Sequence, residues 1–120
     1  MSEHVIIESY DKIVLAKITK ERLLEPVVIG PLGAALLKEV DRHARIALVL
    51  DLSEVEYMAS AFIGQLVALH KAVGVAKGRL ALCGLKPSIL PLIKVMNLDK
   101  IFVIYPEAQA AINLFKRQAP

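Results

Sequence analysis

LVLDLSEVEYMASAFIG, residues 48–64, is the stretch on which the fold turns. The apolar run that enters it, Ile46–Leu52 (IALVLDL), has the length of a strand and almost no polar interruption. That pattern suits a central strand buried on both faces between layers of helices. Ser53–Met58 predicts a loop. Ser60 then precedes Ile63, Leu66, Val67, His70 and Val73, a stripe at helical spacing that predicts a helix ending near Gly74 or Gly78. Serine is a preferred helix N-cap, a role worth about 1 kcal/mol. An exposed hydroxyl at a helix start is also a place where phosphate is tolerated. It adds about −1.5 to −2 charges, which the free N–H groups and the helix dipole accept.

Working outward, His4–Ser9 and Lys12–Thr19 read as an antiparallel hairpin turning at Tyr10-Asp11-Lys12. Thr19–Glu25 is a charged connector. Pro26 or Pro31 opens a helix through Arg42, with Leu32, Leu36, Leu37 and Val40 on one stripe. Downstream, Arg79–Gly84 and Ile101–Tyr105 read as strands. Between them Pro87 starts a helix, Ser88–Met96, with Pro91 in its interior, and Glu107–Gln118 forms a terminal helix. The expected fold is α/β. It is a mixed four- to five-stranded sheet, an antiparallel hairpin followed by parallel strands, covered by about four helices in one domain spanning residues 1–120.

Composition narrows the function. With 120 residues and 56 % hydrophobic content the chain builds a core without staples. Its net charge of +3 is spread along the sequence, so no concentrated basic patch points to nucleic acid. The most apolar stretch, residues 59–76, is broken by Gln65, His70 and Lys71 and does not read as a membrane span. A lone cysteine, Cys83, and an N-terminus without signal-peptide pattern predict a reducing, cytoplasmic setting. Phosphate-cradling glycine loops and metal-ligand spacings are absent, so no cofactor and no enzymatic activity are expected. Asp51, at the end of a buried strand, occupies a place where α/β proteins put functional groups. The favoured reading for it is an aspartate bonding the N–H groups of the next loop.

The pattern D-L-S-x-V-x-x-M-x-S-x-x-I-G from Asp51 to Gly64 resembles the signature of the STAS domain, the anti-sigma factor antagonist family. The G-x-L-x-L-C-G strand from Gly78 to Gly84, Pro87, and Asn97-Leu98-Asp99-Lys100-Ile101-Phe102 extend the likeness over nearly the whole chain. The resemblance implies a non-enzymatic module that docks on an anti-sigma, kinase-like protein partner, with Ser60 at the phosphoacceptor position. The usual aspartate, second hydroxyl residue and glycine around it are replaced by Ala59, Ala61 and Phe62. Ala59, Ser60, Ala61, Phe62, Gln65 and Leu69 are the expected partner-binding residues, with the adjoining loops 19–26 and 53–59. The stripe leaves Phe62, Gln65 and Leu69 toward the outer face; the other reading rotates the helix and packs Phe62 under the 19–25 connector. An alternative function is a constitutive scaffold subunit of a stress-sensing or lipid-transport complex, with Ser60 only a helix cap. Homo-oligomerisation is left open.

Overall fold

A computed structural model describes residues 4–118 of the chain. The first three and last two residues, which the sequence reading counts within its one domain, lie outside the described part. The main sheet has five strands in the order β1-β2-β4-β6-β7: β1 (Val5–Tyr10), β2 (Ile13–Ile18), β4 (Ala47–Asp51), β6 (Arg79–Cys83) and β7 (Val103–Tyr105). β1 runs antiparallel to β2, and the remaining neighbours are parallel. Four helices complete the fold: α1 (Pro26–Arg42), α2 (Ser60–Val75), α3 (Leu90–Val95) and α4 (Ala108–Gln118). This is the expected mixed sheet.

Strand alternation divides the core into two layers. Leu48 and Leu50 of β4, with Val14, Ala16, Leu80 and Leu82 of its neighbours, face one side, where α1, α2 and α3 pack. Ala47 and Val49, with Ile13, Ala81 and Cys83, face the other side under Ala111, Ile112 and Phe115 of α4. Every residue from Leu48 to Leu50 is fully buried, which is why IALVLDL carries no polar face.

Local structure departs from the sequence reading at three places and decides a fourth that the reading left open. The 19–25 connector is not a bare loop: Arg22–Leu23 (β3) pairs in parallel with Tyr57–Met58 (β5), a two-stranded ribbon beside the main sheet. Pro26 is the proline that opens α1, in the first turn where its missing N–H costs nothing. Pro31 lies inside that helix on its exposed side. The third helix is shorter than Ser88–Met96, beginning at Leu90, so Pro91 falls in its first turn rather than in its interior. Finally, α2 starts with Ser60 as its first helical residue. Ala59 occupies the cap position in extended conformation, so Ser60 is not the N-cap.

α1 and α2 lie side by side, with Gly33 of α1 buried beneath the Gln65 side chain of α2. A Cβ at Gly33 would meet that amide, so a larger residue there would require the flexible Gln65 side chain to move. Gly84, just past β6, takes a left-handed φ of 72° against Ser53, and so fits the end of β6 beside the loop leaving β4.

Candidate functional site

The carboxyl ends of the parallel strands, the α1 and α2 N-termini and the small ribbon meet at one end of the molecule. Ala59 sits at the centre of this arrangement. Its N–H donates to the Leu23 carbonyl at 2.8 Å, and its own carbonyl accepts the first helical bonds from Phe62 N (3.0 Å) and Ile63 N (3.4 Å). The ribbon therefore fixes where α2 begins. Glu56 N and Tyr57 N both donate to the Glu21 carbonyl, at 2.8 and 3.1 Å, and close the ribbon's other side. Ser60 is exposed, and the first turn of α2 contains no acidic side chain to offset the helix dipole.

The segments that meet at the start of α2 expose apolar side chains interleaved with the charged Glu21, Arg22 and Glu25. Tyr57 is 47 % exposed, Leu24 41 % and Val27 75 %, while Leu23 and Met58 beneath them are buried. The Arg22 guanidinium lies over the Tyr57 ring, 4.7 Å from its centroid, and holds the ring in place. Beyond the ring the site carries charge. Lys17 pairs with Glu54 at 3.1 Å, which raises the lysine's pKa through that hydrogen bond. Lys86 pairs with Glu56 at 3.2 Å, and the Ser88 hydroxyl donates to the Glu56 carbonyl at 2.9 Å, tying residues 86–88 to the ribbon. The Glu21 and Glu56 carboxyls share a hydrogen bond. It raises Glu21 above the usual carboxylate range, and with Lys86 it holds Glu56 below that range.

The sequence-predicted site residues divide into two groups. Ala59, Ser60 and Ala61 lie at the surface next to one another, with Ala59 half-buried. Phe62 and Leu69 correct the expectation of an outer face: both are buried, Phe62 completely, in the core cluster that contains Leu23 of the connector. The helix is rotated relative to the first reading, and Val67 and His70 are the stripe residues that turn partly outward. Gln65 is half-buried, its side chain committed to covering Gly33. Leu24, Val27 and Tyr57 complete the exposed surface but were not singled out. Their signal was an apolar side chain in a connector or first turn with no periodic partner.

The other candidates resolve into structural roles. Asp51 Oδ1 accepts from the Ser53 N–H at 2.9 Å, the loop-bonding role favoured for it. His70 is half-buried, edge-on to the Phe102 ring at 5.5 Å. No group of three or more potential metal ligands occurs among the described residues. No helix among them is long and apolar enough to cross a membrane. Cys83 is buried against the Leu50 carbonyl, its Sγ 3.6 Å away, and burial pushes its thiol pKa up to about 12, with Asp51 adding to the effect. The thiolate is the reactive form. Iodoacetamide at pH 8 is therefore expected to leave native Cys83 unmodified and to alkylate it within minutes in denaturant, read by intact mass. Because the folded pKa is raised, the unfolded chain releases this proton first. Cys83 therefore lowers stability as pH climbs from the ordinary thiol range toward 12.

The STAS domain family model matches residues 7–111. The chain belongs to the STAS domain family. A curated relative from Bordetella bronchiseptica, named "Putative anti-sigma factor antagonist BtrV", is 32 % identical over 89 residues, covering 74 % of this chain and 76 % of that protein. Among solved STAS structures, an anti-sigma factor antagonist from Mycobacterium paratuberculosis superposes with a TM-score of 0.78 at 26 % identity, covering 92 % of this chain and 91 % of that one. A serine-to-glutamate variant of RsbS from Moorella thermoacetica superposes with a TM-score of 0.81 at 19 % identity and 97 % coverage of both chains. The STAS resemblance places a glycine where this chain has Phe62. The Phe62 ring is fully buried and adds nothing to the surface beside Ser60.

Proposed function

We propose that this STAS domain is a non-enzymatic anti-sigma factor antagonist that docks on a kinase-like protein partner through the surface around Ser60, and that phosphorylation of Ser60 releases it. The observation that carries the reading is the setting of the serine. Ser60 is exposed at the first position of α2, its first turn is free of acids, and the segments that meet there, the ribbon and the α1 N-terminus, carry exposed Leu24, Val27 and Tyr57. Aromatic and aliphatic anchors rimmed by charged residues are the usual arrangement of a protein interface, and exposed Arg22 and Glu25 flank these anchors. The patch continues along both helices: the exposed positions Gly30, Pro31 and Ala34 of α1 and Ala61, Gly64 and Ala68 of α2 carry no charge. Charged residues return only at Lys38 and Lys71. The docking residues are thus Ala59, Ser60 and Ala61 with Leu24, Val27 and Tyr57; Phe62 and Leu69 hold the helix in place from below.

A second reading, the constitutive scaffold subunit, draws support from Ala59. The family's aspartate before the acceptor serine is replaced by a residue with no side chain to orient a hydroxyl. The two readings separate by calorimetric titration with the anti-sigma kinase-like protein of the same organism. The switch requires that Ser60→Ala bind like the unmodified chain. It also requires that Tyr57→Ala weaken binding at least about tenfold, the loss of one interface anchor. Unchanged affinity in Tyr57→Ala would remove the docking surface from the account.

A further inference from the structure

At the opposite end of the sheet from Ser60, a groove of about 270 Å³ runs across the amino ends of β6 and β7, from α2 to α4. Val73, Leu80, Ile101, Val103, Leu114 and Phe115 form its apolar walls. Ile101 and Val103 remain about half exposed there, at 46 % and 49 %. Arg79 lines the groove with its guanidinium 5.2 Å from the Phe115 ring centroid and Nη1 donating to Gln118 Oε1. No carboxylate pairs with Arg79 among the described residues. The segments around the groove, residues 70–80, 98–103 and 114–118, hold six cations (Lys71, Lys77, Arg79, Lys100, Lys116 and Arg117) against one acid, Asp99. Gly74 lines the groove, and a Cβ added there would meet nothing within 4 Å.

We propose that this groove binds a small amphiphile, a medium-chain carboxylate whose apolar tail lies along Val73, Leu80, Val103 and Phe115 and whose head pairs with Arg79. The volume sits just below the roughly 300–1,000 Å³ of ordinary ligand sites, which selects a short tail over a long-chain lipid. A guanidinium stacked on an aromatic wall, hydrogen-bonded to the neutral Gln118 amide and without a carboxylate partner among the described residues, selects a planar anion that it can grip with its N–H groups. Arg79, the one Lys or Arg side chain that lines the groove, disfavours a positively charged head. This site is separate from the Ser60 surface, and its occupancy does not depend on any protein partner.

The test is a titration of the full chain with decanoate below its micelle-forming concentration, followed by amide proton–nitrogen NMR. Saturable shifts are expected at Gly74, Gly78, Val103 and Phe115, with none at Ser60 or Tyr57. Arg79→Gln is expected to weaken decanoate binding at least about tenfold, the loss of a charge-assisted bond, and to bring its affinity level with that of decanol. Gly74→Leu projects into the open groove from an unobstructed helix position, so it is expected to keep the fold and abolish the shifts. The proposal is overturned by non-saturating shifts or by shifts centred on Leu24, Val27 and Tyr57. Equal binding of decyltrimethylammonium, or undiminished binding by Gly74→Leu, overturns it as well.

Discussion

Phe62→Ala is expected to cost about 3–5 kcal/mol of folding free energy, whereas Ser60→Ala, two residues earlier, is expected to change it by less than about 0.5 kcal/mol. The contrast follows from where each side chain lies. Phe62 is fully buried in the main core cluster, so truncation removes a large apolar surface and leaves a void in that core. Ser60 is exposed and is not the N-cap, so the roughly 1 kcal/mol cost of losing a capping serine does not apply. Urea unfolding curves of the two variants measure the difference directly. Phe62→Leu, which retains much of the buried area, is expected to fall between them. A Phe62→Ala variant as stable as the parent would mean that the side chain faces outward after all.

Ser60→Glu is expected to separate stability from binding. A carboxylate in the first turn of α2 meets the positive end of a helix with no acid of its own, which stabilises the fold by about 0.3–1 kcal/mol. The same charge placed in the middle of the Leu24–Val27–Tyr57 patch would be stripped of water in the complex and left without a partner. That costs about 2–4 kcal/mol, roughly a 30- to 1,000-fold rise in Kd for the anti-sigma kinase-like protein. A variant that melts slightly higher and binds far more weakly is the combination a phosphorylation switch requires, because the modified form must stay folded while it lets go. Equal affinity of Ser60→Glu and the parent would leave the serine outside the interface.

The architecture was legible in the sequence because its strongest signals are the simplest. Ile46–Leu52 has no polar face since both faces of β4 are covered, and the hairpin before it announces itself by a polar turn between β-branched runs. The ribbon was not legible: β3 and β5 are two residues each, too short for any period to emerge. It is nevertheless what decides the start of α2, because the Ala59 N–H is spent on the Leu23 carbonyl. This pushes Ala59 into extended conformation and Ser60 one position past the cap. The rotation of α2 was hidden for a different reason. Its outward positions before Lys71 are Ser60, Ala61, Gly64 and Ala68, small and uncharged residues that leave no charged stripe to set against Phe62 and Leu69. The same absence of charge that blurred the helix phase gives the exposed surface its suitability for a partner. Pro91 misled through proximity alone, since a proline one position inside a first turn and one in a helix interior look alike until the boundary is known.

The central claim is that Ser60 governs a docking surface, and it is tested most directly by the state of the protein in its own cell. The measurement is intact-mass analysis of the chain purified from its native host across growth conditions, with peptide mapping through residues 59–71. The account predicts a fraction carrying one added phosphate, about 80 Da, localised to Ser60, varying with growth condition and absent from Ser60→Ala. A Ser60 that is unmodified under every condition in which the protein is made would contradict the switch and leave a constitutive binding subunit in its place.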